Sequence, residues 1–140
     1  MSYLIDTSVL SEAVRPRPAA PVLRWLRSVP DSALHLSVLT VGELRSGSER
    51  LGEGTHKERL RLWLEQELPA WFGDRLLPIT PVVADRWGRL VSEAGRSVAA
   101  IDSLLAATAI VHGLRLVTRH AKDFAFPGLQ VINPWEAGAR

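Results

Sequence analysis

Four acidic side chains stand where apolar runs hand over to polar ones: Asp6, Glu43, Asp102 and Asp123. Asp6 follows Tyr3-Leu4-Ile5, Glu43 follows the run that ends near Val38, Asp102 opens a long apolar stretch, and Asp123 trails the run Leu114–Thr118. Two carboxylates ~4 Å apart at an effective dielectric of about 20 repel by ~4 kcal/mol. A chain that gathers three or four of them needs a cation to offset that cost. There is no cysteine, so the ligands are oxygens, which suits Mg²⁺ or Mn²⁺. The chemistry such a centre performs is phosphoryl transfer: the ion acidifies a water and neutralises charge growing on the phosphoryl oxygens. One ion is the expectation, and two are compatible with it.

Neighbouring polar residues suit the same chemistry. Thr7 and Ser8 are able to cap a helix and so leave Asp6 free. Thr118 can hydrogen-bond a carboxylate or a coordinated water, and Arg119 and His120 can hold phosphate. Each position also has a plain structural reading. Asp6 and Asp102 suit helix N-caps, and Glu43 suits an acid in the first turn of a helix. Asp123 suits a turn paired with Lys122 or Arg119, and Arg119 and His120 suit an exposed polar turn. His35, His56 and His112 lack ligand spacing and read as structural or exposed. The chain contains no GxxxxGK[ST], GxSxG or HExxH pattern, so a phosphate loop is unsupported.

The elements that must bring the acids together read as strands alternating with helices. Strands are expected at Tyr3–Ile5, Leu34–Val38, Leu76–Ile79, Leu114–Thr118 and Leu129–Ile132. Helices are expected near residues 9–14, 21–29, 40–51, 55–72, 81–94 and 101–111, the fifth with Thr80 as N-cap and Pro81 at its first position. The helix over 55–72 carries Leu60, Trp63, Leu64, Leu68, Trp71 and Phe72 on one side and should end or break at Pro69. Residues 101–111 are apolar nearly all round, as in a helix buried on most sides. This alternation predicts an α/β fold, a three-layer α/β/α sandwich around a mainly parallel sheet of about five strands. In such sheets the ligand crevice lies outside the carboxyl ends of the strands, which turns scattered acids into one candidate site.

The bulk numbers bound the alternatives. A length of 140 residues fits one domain over 1–140, able to bury roughly 70% of its unfolded surface. The net charge is +2 and the pI about 9.7, which permits a nucleic-acid partner without demanding one. The lack of cysteine excludes disulfides and fits a reducing cytoplasm. No apolar run reaches the ~18 residues of a membrane span, and residues 1–5 are too short for a signal-peptide core. The five tryptophans exceed what a small core needs, so they serve packing or a partner surface.

The ordered set of motifs resembles the PIN-domain family, and within it the VapC-type toxins of the FitB-like branch. The resemblance is carried by Asp6-Thr7-Ser8-Val9-Leu10-Ser11-Glu12, Ser37-Val38-Leu39-Thr40-Val41-Gly42-Glu43-Leu44, Ile101-Asp102 before Ala106-Ala107-Thr108-Ala109, His112-Gly113-Leu114, Leu116-Val117-Thr118-Arg119 with Lys122-Asp123-Phe124, and Val131-Ile132-Asn133-Pro134-Trp135. It implies a cytoplasmic toxin of a toxin–antitoxin pair, acting as a Mg²⁺- or Mn²⁺-dependent endoribonuclease on RNA. It also implies a homodimer and an antitoxin whose C-terminal segment wraps the toxin and blocks the acidic site. By position, Asp6, Glu43, Asp102 and Asp123 are the acidic quartet. Asp6 and Asp102 are the direct ligands, Glu43 ligates or orients through water, and Asp123 completes the pocket. Ser8 and His120 stand where the family often has asparagine; His120 is the larger departure. Two other classes remain: a PIN-like module that binds without cutting, and a receiver domain. The receiver expects an acid after the third strand, where Thr80-Pro81 stands.

Overall fold

Tyr3–Ile5 (β1) is buried along its whole length, and the rest of the sheet is assembled around it. The computed structural model describes residues 1–136. β2 is Leu34–Ser37, β3 Leu76–Leu77, β4 Arg115–Val117 and β5 Val131–Ile132. They lie in the order β3-β2-β1-β4-β5, and every neighbouring pair is parallel. The chain builds outward from β1 to β2 and β3, then returns to place β4 on the other side of β1. β1 and β4 therefore flank the point where strand order reverses, and the crevice opens at their carboxyl ends.

Alternation along the strands divides the apolar side chains between two cores. Tyr3, Ile5, Leu34, Leu36 and Val117 face one layer, with Val9, Val22, Trp25, Leu64, Leu68 and Phe72. These come from α1 (Thr7–Ala13), α2 (Ala20–Ser28) and the segment from α4 (Thr55–Leu62) to α5 (Leu68–Phe72), and Val41 and Leu44 of α3 (Val38–Glu49) pack against them. Leu4 and Leu116 face the other layer, with Val83 and Leu90 of α6 (Pro81–Ala94) and Leu105, Ala106, Ala107 and Ala109 of α7 (Ala100–His112). The expected α/β/α sandwich with a five-stranded parallel sheet is the fold observed. No helix among the described residues is long and apolar enough to cross a membrane.

Local chemistry sets the helix ends. Ser37 caps α3 by accepting from the Leu39 N–H at 3.1 Å, and Thr80 caps α6 by accepting from the Val83 N–H at 3.2 Å. Gly113, with φ of 65°, ends α7 in a left-handed turn that a side chain would disfavour.

Several boundaries depart from the sequence reading. The strands are shorter: β3 stops before Pro78, which has no N–H to give the ladder. α1 begins at Thr7 rather than Val9, because Asp6 itself is its N-cap. Pro69 neither ends nor breaks its helix. Instead the chain widens into a π turn over Trp63–Glu67, in which the Leu68 N–H reaches the Trp63 carbonyl, and helix resumes at Leu68. The wider turn absorbs the hydrogen bond and the ring clash that proline brings to a helix interior. Of the five tryptophans only Trp25 is in the fully buried core; Trp63, Trp71, Trp87 and Trp135 pack half-buried against it.

The small side chains of α7 let it lie close to the sheet, and that closeness fixes where its first turn sits. Ala106 is fully buried. Ala106→Leu is expected to cost about 1–3 kcal/mol through overpacking, read as a lower denaturation midpoint in urea.

Candidate active site

Asp6 leaves the end of β1 in extended geometry, with its N–H donating to the Val117 carbonyl of β4 at 2.9 Å. Its side chain is 7% exposed. A carboxylate that buried must be hydrogen-bonded, and three donors meet it. The Thr7 N–H reaches Oδ1 at 2.7 Å, while the Ser8 hydroxyl at 3.0 Å and the Thr118 hydroxyl at 2.7 Å reach Oδ2. Asp6 is thus both the helix cap and the centre of a polar cluster. The alternative in which Thr7 and Ser8 cap the helix and free Asp6 is not what the chain does; both instead donate to it.

Thr7 also ties in the second acid, donating its hydroxyl to Glu43 Oε1 at 2.6 Å. Glu43 lies in the second turn of α3, not the first, and is exposed at the rim of the crevice rather than enclosed by apolar neighbours. Asp102 is the third residue of α7, whose N-cap position is Ala99, so Asp102 is not a cap. Ser103 beside it is occupied elsewhere, accepting from Trp87 Nε1 at 2.8 Å. Among the described residues no side chain or backbone N–H donates to the Asp102 carboxylate, which stays free toward the crevice. Asp123 sits exposed on a 3₁₀ turn, Ala121–Phe124, with no ion pair to Lys122 or Arg119.

Asp102 lies within electrostatic reach of the other three acids. Burial first, and then the charges of Asp6, Asp123 and Glu43, push its carboxyl above the usual carboxylate range; the His120 imidazole opposes the shift. Still, no three acidic or imidazole groups among the described residues are close enough to enclose an ion. The donor set fits Mg²⁺ or Mn²⁺. It is all oxygen, Asp102 and Asp123 are uncommitted, and an ionised carboxylate with about four lone-pair sites leaves Asp6 and Glu43 further capacity.

The supporting residues divide. Thr118 is fully buried and also accepts from the His120 N–H at 3.0 Å, which sets the turn that points His120 toward Asp102. Ser8 accepts from the Arg119 N–H at 3.2 Å. The Arg119 guanidinium lies over the Trp135 ring, 5.1 Å from its centroid, and is held there rather than among the acids. A groove beside Glu43, lined in part by Gly47, Ser48 and Trp63, was not anticipated; its one signal was two small residues inside the apolar stripe of α3.

Two outcomes follow. Thr118→Val strips a buried carboxylate of one donor and should cost about 1–3 kcal/mol in equilibrium unfolding. Asp102 has a folded pKa above its unfolded value, so in the window between the two the folded chain holds more protons and stability falls as pH rises. Asp102→Asn should therefore melt higher than the parent at neutral pH. That gain should shrink as pH falls through the raised pKa to the ordinary carboxylate range.

The family model for the PIN domain matches residues 3–125. The chain is 39% identical over 135 residues to Toxin FitB of Neisseria gonorrhoeae, covering 94% of this chain and 97% of that protein. It is 36% identical over 137 residues to VapC ribonuclease Y4jK of Sinorhizobium fredii, covering 95% and 97%. The solved structure of FitAcB from Neisseria gonorrhoeae matches it with a TM-score of 0.87 at 37% identity, over 96% of this chain and 99% of that one. The matched residues include all four acids and the elements that carry them: this chain belongs to the PIN-domain family.

Proposed function

We propose that this chain is the toxin of a toxin–antitoxin pair and acts as a Mg²⁺- or Mn²⁺-dependent endoribonuclease in the cytoplasm. The observation that supports the reading most is the placement of Asp6 at the strand-order reversal of the sheet, hydrogen-bonded through Thr7 to Glu43, with Asp102 and Asp123 within electrostatic reach. Similarity to proteins named Toxin FitB and VapC ribonuclease supports it. An antitoxin whose C-terminal segment blocks the acidic crevice, and a homodimer, belong to the same reading.

In this reading Asp6 and Asp102 hold the ion directly, Glu43 ligates it or orients a water, and Asp123 completes the pocket. Mg²⁺ or Mn²⁺, when bound, supplies charge neutralisation at the phosphoryl oxygens and an acidified water. The chain's own groups do the rest. Thr7, Ser8 and Thr118 fix the Asp6 rotamer by donating to it. Thr7 sets the separation of Asp6 and Glu43. His120, on the turn after β4, offers an imidazole N–H to the phosphate of the bound strand. Arg119, anchored on Trp135, offers a second cation at the edge of the same turn. Looped or single-stranded RNA is the substrate class, because its backbone and bases are accessible as those of a duplex are not.

The test is cleavage of RNA by purified protein in Mn²⁺, freed of any co-purified antitoxin. Cleavage should stop with EDTA and with Asp6→Asn. Thr7→Val, which leaves every acid in place but loosens Glu43, should slow it about 10–100-fold. Intact RNA after incubation of the unmodified protein would reject the reading.

A further inference from the structure

Asp102 rides on the first turn of α7, and Asp123 on the 3₁₀ turn Ala121–Phe124. The stretch 121–129 that bears Asp123 has few ties to the rest of the fold. Its backbone bonds are local: the Asp123 N–H donates to the His120 carbonyl at 2.9 Å, Phe126 to Phe124 at 2.9 Å and Leu129 to Phe126 at 3.2 Å. Pairing with β4 resumes only at Gln130, whose carbonyl accepts from the Leu116 N–H at 2.9 Å. Phe124 and Phe126 are buried in the core that α6 and α7 share with the sheet. Apolar burial sets the depth of such a turn but is non-directional, so it leaves the angle of the turn open.

One side chain supplies direction. Gly95, with φ of 64°, ends α6 in a left-handed turn, and Arg96 follows it in the short loop before α7. The Arg96 guanidinium lies over the buried Phe126 ring, 5.3 Å from its centroid, and its Nη2 donates to the Ala125 carbonyl in a long 3.5 Å contact. Among the described residues no other side-chain hydrogen bond joins 121–129 to another element, and Arg96 makes no ion pair. A planar guanidinium can stack on a ring while its edge donates, and the two contacts together restrict rotation. Both partners of Arg96 lie within three residues of Asp123, and Arg96 stands six residues before Asp102. The charge of Asp123 is among those that raise the Asp102 pKa, so the two acids repel across the crevice. A tie between their segments opposes that repulsion. The cation that counters the field at Asp102 is His120, so Arg96 acts on the backbone that bears Asp123.

We propose that Arg96 is a positioning residue of the acidic site. By bridging Ala125 and Phe126 to the loop before α7, it holds the turn of Asp123 at a set distance from the head of that helix. Asp123 and Asp102 thereby stay within reach of one divalent ion. Arg96 itself touches neither the ion nor RNA. The proposal rests on the metal-dependent reading above and names what sets the place of Asp123 in it.

The test is Mn²⁺ binding by the full chain, freed of antitoxin, with the free ion followed by electron paramagnetic resonance. The set is the parent, Arg96→Ala, Asp123→Asn and the double variant. Arg96 is exposed, so Arg96→Ala should stay folded. It should weaken Mn²⁺ about tenfold or more, and only while Asp123 is present: in the Asp123→Asn background the loss should vanish. Arg96→Lys keeps a cation for the ring but not the planar fork, so its loss should be smaller. If Arg96→Ala proves unfolded, the same cycle with Arg96→Lys decides. Unchanged affinity overturns the proposal. So does an equal loss in both backgrounds, which marks general loosening and not the placement of Asp123. A variant that binds Mn²⁺ as the parent does but loses RNA overturns it too, because Arg96 is then a phosphate contact. Where the parent binds Mn²⁺ and cuts RNA, these outcomes bear on Arg96 alone. A parent that binds no Mn²⁺ rejects the metal-dependent reading itself, and the role of Arg96 falls with it.

Discussion

The hydrogen bond from the Thr118 hydroxyl to Asp6 joins residues 112 positions apart, at the ends of two adjacent strands. It crosses the strand-order reversal of the sheet. A buried carboxylate at that point is costly to leave unpaired. Three donors gather on it, and each is itself part of another element. Thr7 opens α1 and reaches α3 through Glu43. Ser8 reaches the backbone after β4. Thr118 turns the chain toward His120. Satisfying one carboxylate therefore fixes the relative placement of α1, α3 and the turn beyond β4, the surroundings of any ion or phosphate.

Asp102 reaches the same crevice by a different route. Nothing polar draws it there; it rides on a helix whose alanines let it press against the sheet. Packing half-buries the head of α7 in the field of three other acids, and the raised pKa of Asp102 reflects that burial first and those charges second. Such local conflict marks sites retained for activity rather than stability. The hydroxyls on Asp6 and the imidazole near Asp102 relieve only part of it, leaving a charge that a cation complements.

The helical layer over the other face serves the site in a looser way. The π turn at Trp63–Glu67 carries the chain through Pro69 and keeps Trp63 and Leu64 facing α3 across the groove. A straight α-helix would rotate these side chains relative to Leu68 and Phe72, which belong to the core. The irregular turn thus lets one segment both close the core and wall the groove.

Much of this was written in the residue order. The alternation of apolar strand-like and helix-like segments, the Thr80-Pro81 start, the near-uniform apolarity of residues 101–111 and the four acids at element ends follow from local pattern, because burial and capping act on near neighbours in the chain. What the order of residues left open was decided by contacts between distant ones. Whether Asp6 would be freed by Thr7 and Ser8 or held by them depended on Thr118, which no local rule pairs with it. The depth of Glu43 depended on where α3 began. The fate of Pro69 depended on core contacts strong enough to keep a helix going around it. Arg119 turned to Trp135 and away from the acids because β5 delivers that ring beside it. Local sequence fixes which groups exist and which element bears them; only the parallel sheet, by setting five strand ends side by side, decides which of those groups share a crevice.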